Sequence, residues 1–187
     1  NMQARIVARE NMVFAGTEAL KIFNEVTGNS PAIILNVKDG DKLASGSVIG
    51  TLSGTAIHVL SHERVLLNLL QRLCGVATLT QKFVDAIAGT NAKILDTRKT
   101  IPGWRALDKY AVACGGGTNH RMDLASEIMI KDNHIAAAGG LEQAIQRVLG
   151  KEKGKAIVVE CDTITQVEQA LKHPVGRILL DNMKPEM

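Results

Sequence analysis

The sequence predicts an α/β protein, and three observations carry that expectation. From residue 92 onward, short aliphatic runs ("AKILD", "EIMIK", "AIVVE", "RILLD") alternate with segments of helical periodicity. These runs are almost continuously apolar, as in parallel strands covered on both faces. Before residue 60, β-rich runs and one helical pattern are punctuated at Asp39-Gly40, Gly46 and Gly54.

Taken in order, "QARIVARENMVFAG" alternates and ends at Gly16. "TEALKIFNEVTG" sets Leu20, Phe23 and Val26 at helical spacing, with Thr17 expected as N-cap and Gly28 as the stop. "AIILNVKDGDKLASGSVIGTLSG" reads as short strands joined by turns, with Asp39-Gly40 a hairpin signal. "SHERVLLNLLQRLCG" opens on Ser61 as expected N-cap and carries leucines at 66, 67, 69, 70 and 73 on more than one face. Such a helix is expected to be buried on most sides or to bridge two domains, and to run on through "VATLTQKFVDAIAG". "WRALDKYAVACGGG" places Trp104, Leu107, Ala111 and Cys114 on one helical face. "GLEQAIQRVLG" and "TITQVEQALKHP", the latter capped by Thr163 or Thr165, complete four βα units. A longer linker, "GGGTNHRMDLAS", precedes the second strand. The chain starts at Asn1 and stops just past a strand, so both ends are expected to be truncated.

Composition narrows the function classes. With 187 residues, 45% apolar and 22% charged, the chain can bury a sizeable core. Aromatics are only 3%, the net charge is +3 and no block of like charges occurs, so a nucleic-acid footprint is not indicated. No apolar run approaches the ~20 residues of a membrane-spanning helix. Cys74, Cys114 and Cys161 are odd in number and widely spaced, which suits buried thiols in a reducing, cytoplasmic setting.

The candidate site lies at the strand ends. Each of the four apolar runs ends in a charge, Asp96, Lys131, Glu160 and Asp181, where parallel sheets place their sites. Next to them stand Arg98-Lys99, Asn133-His134, Asp162 and Asn182. "TRKT" can clamp an anion, Arg98 bidentately and Lys99 as a point charge. "GGGTNHR" alone reads as a flexible helix C-cap, but beside "TRKT" its His120 and Arg121 add anion-binding capacity. It is no Walker loop, because no Gly-Lys-Ser/Thr follows. His134 is expected on a loop, where a lone histidine is more often structural, and no histidine pair has metal-ligand spacing. Arg64 is expected in the first turn of its helix, where it opposes the macrodipole unless an anion docks there. Glu160 and Asp181 could act as acid and base, hold Mg²⁺, or stabilise a developing cation. No G-x-S-x-G supports a serine hydrolase.

"ERVLLNLLQRLCGVATLT", "LDTRKTIPGWRALDKYAVACGGGTNHRMDL", "IKDNH", "VECDT" and "ILLDN" together resemble the quinolinate phosphoribosyltransferase family from about residue 5 to residue 183. A molybdenum-transport-associated paralogue is the nearest confusable relative. The resemblance implies an N-terminal α/β sandwich domain, residues 1–66, followed by an open α/β barrel, here partial, over 67–187. It implies a Mg²⁺-dependent reaction of quinolinate with phosphoribosyl pyrophosphate, giving nicotinate mononucleotide, CO₂ and pyrophosphate in NAD biosynthesis. Carried over by position, Arg98, His120, Arg121 and Lys131 match the quinolinate pocket. Arg64 matches an arginine lent by the other subunit of a homodimer. Lys99 matches a residue near pyrophosphate and substrate, and Glu160 and Asp181 match the ribose and Mg²⁺ carboxylates. Asp123, beside Arg121, departs from the small-residue pattern usual after N-H-R. An alternative from another class is a carrier or interaction module, since "VKDGDKLASGSVIGTLSG" has the turn pattern of biotinyl and lipoyl-like folds. It lacks their modifiable hairpin lysine.

Overall fold

The computed structural model describes residues 1–151 and 154–186. Among these residues the α/β class is realised as eight strands and six helices, in two compact units, Asn1–His120 and Arg121–Met187.

In the N-terminal unit, β1 (Met2–Val7) and β2 (Met12–Val13) arise from the first alternating stretch. Then follow α1 (Thr17–Val26), β3 (Ala32–Leu35), β4 (Lys42–Leu43), β5 (Val48–Gly54), α2 (Ala56–Ala86) and α3 (Arg105–Cys114). β5 lies between β1 and β3 and is antiparallel to both, while β2 and β4 form a separate antiparallel pair. The Asp39-Gly40 turn forms, with Gly40 at φ +85°, a conformation glycine adopts without steric cost.

Two helix starts differ from expectation. Thr17 lies inside α1, whose N-cap is Gly16 without a side-chain bond. The cap comes instead from a distant turn: Asp39 Oδ1 accepts from Gly16 N at 2.9 Å and Thr17 N at 3.1 Å. α2 starts at Ala56, where Thr55 accepts from His58 N, so Ser61 is an interior residue. Arg64 therefore stands in the third turn of α2, where it meets no exposed N-terminal amides.

α2 is the spine of this unit. Leu66, Leu70, Leu73, Cys74 and Ala77 are buried at i, i+4, i+7, i+8 and i+11. Leu66, Leu70 and Cys74 pack with Phe14, Leu20 and Leu52, and Leu73 and Ala77 pack with Val13, Ala15 and Ala111. The expectation of burial on most sides is not met: Ile57 (77%), Val65 (59%), Leu79 (56%) and Phe83 (55%) are exposed along one face. The glycine run after α3 is a packing device rather than a flexible cap. A Cβ on Gly115 would stand 2.3 Å from Ala77 O and 2.8 Å from Thr80 Cβ, so α3 can end against α2 only with glycine there.

The run 92–96 makes no strand. Leu95 forms one isolated parallel bridge to Thr118 and is 45% exposed. Three of the four expected parallel strands form, all in the C-terminal unit: β6 (Ile128–Ile130), β7 (Ile157–Cys161) and β8 (Arg177–Leu180). They are parallel in the order β6-β7-β8, connected through α4 (Asp132–Ala138), α5 (Leu141–Lys151) and α6 (Ile164–Ala170). Thr163 caps α6 by accepting from Gln166 N. α4 occupies the segment expected to be loop: its His134 accepts from Lys131 N through Nδ1 at 3.1 Å, closing the first turn. One face of the sheet, with Ile130, Val159, Cys161 and Ile178, packs on Leu141, Ala144, Ile145 and Ala170.

Candidate functional site

The sheet of the C-terminal unit gathers four of the expected site residues on its other face. Side chains alternate along a strand, and the register places Met129, Val158 and Arg177 in one row. Lys131 and Glu160 continue that face two residues on. Lys131 Nζ donates to Glu160 Oε2 at 3.0 Å, with the two side chains 41% and 17% exposed. Glu160 is opposite Leu179, and Asp181, two residues beyond Leu179, shares its face. The ladder extends that far, since Asp181 N donates to Cys161 O at 2.8 Å. Arg121 lies along the same face: its guanidinium donates to Met129 Sδ at 3.4 Å and Glu127 O at 2.9 Å. Lys131, Glu160 and Asp181 thus stand at the C-terminal ends of three parallel strands, with Arg121 further back on the same face beside Met129. Asp123, whose charge departs from the family pattern, accepts from Ala125 N and Ser126 N at 2.8 and 3.2 Å, in a local turn.

The N-terminal unit holds Arg64, Arg98, Lys99 and His120. Arg64 is exposed on α2. Lys99 lines a cleft of about 190 Å³ together with Arg72, Asp96, Thr97, Thr100 and Lys109. Thr97 Oγ1 accepts from Lys99 N at 3.0 Å and braces that loop. Arg98 Nε is shielded from solvent and has no hydrogen-bond partner among the described residues, a costly state for a guanidinium N–H.

Asp96, expected on a polar rim, is a buried anchor instead. Its side chain is 6% exposed and that of Lys109 3%, and Lys109 Nζ donates to Asp96 Oδ1. The same Oδ1 accepts from His120 N at 2.8 Å, and Lys109 Nζ donates to His120 O at 2.8 Å. The hydrogen-bond network orients the Asn119 amide so that its nitrogen donates to Asp96 Oδ2 at 2.6 Å and Lys109 O at 2.8 Å. Beside this, Asp108 takes Arg72 bidentately at 3.0–3.1 Å. Sequence reasoning missed Arg72, Asp108, Lys109 and Asn119. The one available signal was that Asp108 and Ala111 share a helical face, so the apolar stripe of α3 includes a charge that must be paired if buried.

The thiols are no nucleophiles. Burial pushes Cys74 and Cys114 up to about 11, and also raises Cys161, so all three are protonated at neutral pH. The described residues contain no group of three or more acidic, histidine or cysteine side chains that could cage a metal ion. Glu160 and Asp181 instead suit Mg²⁺ in its usual manner, held by one or two carboxylates, waters and substrate phosphates.

Comparison with known proteins bears on both halves of the chain. The family model for the N-terminal domain of quinolinate phosphoribosyl transferase matches residues 1–74, and that for its C-terminal domain matches residues 76–187. A Mycobacterium leprae nicotinate-nucleotide pyrophosphorylase (carboxylating) is 44% identical over 179 residues, covering 95% of this chain and 63% of the relative. An Arabidopsis thaliana protein of the same name, chloroplastic, is 42% identical over 192 residues, covering 97% of this chain and 55% of its own. The solved nicotinate-nucleotide pyrophosphorylase of Ehrlichia chaffeensis superposes with a TM-score of 0.91 at 41% identity, over 98% of this chain and 68% of that one. That of Francisella tularensis gives a TM-score of 0.92 at 36% identity, over 98% and 66%. The chain thus spans about six-tenths of the length of the curated relatives it matches. With both domain models matched in order over nearly every residue, the chain belongs to the quinolinate phosphoribosyl transferase family.

Proposed function

We propose that the protein transfers the phosphoribosyl group of phosphoribosyl pyrophosphate to quinolinate, forming nicotinate mononucleotide, CO₂ and pyrophosphate in NAD biosynthesis. The observation that carries the proposal is the sheet face bearing Arg121, Lys131, Glu160 and Asp181. A dicarboxylate needs cations, and a ribose carbon losing pyrophosphate needs nearby negative charge. Arg98, His120, Arg121 and Lys131 grip the two carboxylates of quinolinate, with Arg98 bringing a donor, Nε, that lacks a partner among the described residues. Lys99 attends the pyrophosphate side. As the C1–oxygen bond to pyrophosphate breaks, Glu160 and Asp181 stabilise the oxocarbenium character at C1, and the pyridine nitrogen attacks. The 2-carboxylate then leaves as CO₂ and the ring carbon takes a proton. Mg²⁺, associated with Asp181 and Glu160, supplies charge neutralisation for the pyrophosphate.

In the same proposal the protein is a homodimer in which each subunit lends Arg64 to the other's site. The exposed apolar residues Ile57, Val65, Leu79 and Phe83, on the face of α2 that carries Arg64, support it. A cytoplasmic location is part of the reading and rests on three free cysteines. No helix among the described residues is long and apolar enough to cross a membrane.

Incubation of the intact protein with quinolinate, phosphoribosyl pyrophosphate and Mg²⁺ is expected to yield nicotinate mononucleotide, CO₂ and pyrophosphate in equal amounts. No product from quinolinate, with nicotinate also inert, rules the proposal out.

A further inference from the structure

We infer that Asp96 and Lys109 are positioning residues that jointly fix the segment carrying Arg98 and Lys99 and the peptide of His120; the inference rests on the function proposed above. Both side chains are almost fully buried. Removing two charges from water costs more than their attraction returns unless every remaining donor and acceptor is matched, and an apolar pair of similar volume often serves stability as well. The ion pair does something an apolar pair cannot. It holds both polar groups of one residue: His120 N–H donates to Asp96, and His120 C=O accepts from Lys109. Asn119, the preceding residue, is tied to the other oxygen of Asp96 and to the backbone of Lys109. Asp96 is also the residue from which the Thr97-Arg98-Lys99 loop departs. A single buried point therefore sets the origin of two segments that sequence alone leaves twenty residues apart.

Although both line the cleft beside Lys99, their polar ends are almost wholly shielded and already taken up by each other, Asn119 and the His120 peptide, so they act through Arg98, Lys99 and His120. Losing the pair should loosen these segments while the hydrophobic core persists. A displacement of about 1 Å in a binding constellation can cost up to ~100-fold in function.

The test compares the intact wild-type protein with three variants: Lys109→Met, the neutral pair Asp96→Asn with Lys109→Met, and Lys109→Arg. Melting temperature, quinolinate affinity by calorimetry, KM for each substrate, and hydrogen exchange are measured. The neutral pair is expected to stay folded yet bind quinolinate at least ~10-fold more weakly. Its exchange should rise at residues 96–100 and 118–120 while the buried part of α2 stays protected. Lys109→Arg keeps the charge and is expected to recover part of the affinity; it also carries the test if the neutral pair fails to fold. Quinolinate affinity within about twofold of wild type in a folded variant, or unchanged exchange in both segments, overturns the inference. Equal proportional losses for both substrates that track the melting temperature also overturn it, as the mark of a merely structural pair. Wild-type protein that does not bind quinolinate at all instead removes the proposed function, and the inference with it.

Discussion

Asp39→Ala should unfasten the N-terminal unit at a calculable cost. The Asp39 carboxylate sits at the start of α1, accepting from Gly16 N at 2.9 Å and Thr17 N at 3.1 Å on one oxygen and from the Tyr110 hydroxyl at 2.5 Å on the other. The turn at residues 39–40, α1 and α3 meet in that one side chain. Losing a helix cap costs about 1 kcal/mol, and stranding a buried donor such as Gly16 N–H about 1–3 kcal/mol. Together these give a loss of roughly 3 kcal/mol, or about 6–12 °C in melting temperature for a chain of this length. Tyr110→Phe removes one bond to Asp39 and should cost about 1–1.5 kcal/mol. The double variant should fall short of the sum by about 1 kcal/mol, since each partner has then already lost the other.

The pH dependence provides a second reading of the same clasp. Burial by itself would raise the Asp39 carboxyl, but bonds from the Tyr110 hydroxyl and the Gly16 and Thr17 amides outweigh it and hold it below the ordinary value of 3.8. A carboxylate with a lowered folded-state pKa contributes stability that is complete above its unfolded pKa and lost as pH falls through the folded one. The gap between wild type and Asp39→Ala should therefore be widest near neutrality and narrow below about pH 4. Urea titrations of the four proteins across pH measure both effects. Strict additivity of the two substitutions, or a gap that does not shrink in acid, would refute the reasoning.

Glu160→Gln should lower kcat by about 100-fold while quinolinate binding changes little, because the lost charge matters most at the developing oxocarbenium; steady-state kinetics check this. Arg121→Ala should weaken quinolinate binding far more than it lowers the melting temperature, read by calorimetry beside a thermal melt. Mixing inactive Arg64→Ala with inactive Arg121→Ala protein should restore roughly a quarter of wild-type activity through hybrid dimers with one intact site; no recovery argues against shared sites. Gly115→Ala should cost about 3 kcal/mol or more because its Cβ meets the backbone of α2 at 2.3 Å. Gly75→Ala, with nothing of its own chain within 4 Å, should gain up to about 1 kcal/mol in a denaturant titration.

What could be read from the sequence was what local physics controls. Apolar runs of the right length named β6, β7 and β8 and their parallel direction, and helical periodicity named α1, α3, α5 and α6. Lys131, Glu160 and Asp181 were expected at strand ends, because a strand leaving a sheet must change polarity there; Lys131 and Asp181 directly follow β6 and β8, while β7 runs one residue past Glu160. Where a choice depended on a partner distant in sequence, local signals misled. Ser61 is as good a cap as Thr55, but α2 begins where β5 releases the chain. Ala92–Asp96 looks like a strand, but its ladder stops at one bridge to Thr118. "IKDNH" looks like a loop, but His134 closes a helical turn.

The same division runs through the candidate site. The sequence alone determined that cations and carboxylates accompany strand ends, since residue type and spacing lie within a few residues of one another. Only the tertiary structure decided that Asp96 is buried rather than rimming a mouth. Its burial is tolerable solely because Lys109, Asn119 and the His120 amide arrive together from thirteen to twenty-four residues away. A charge's partner is a fact about space, and spacing along the chain does not contain it.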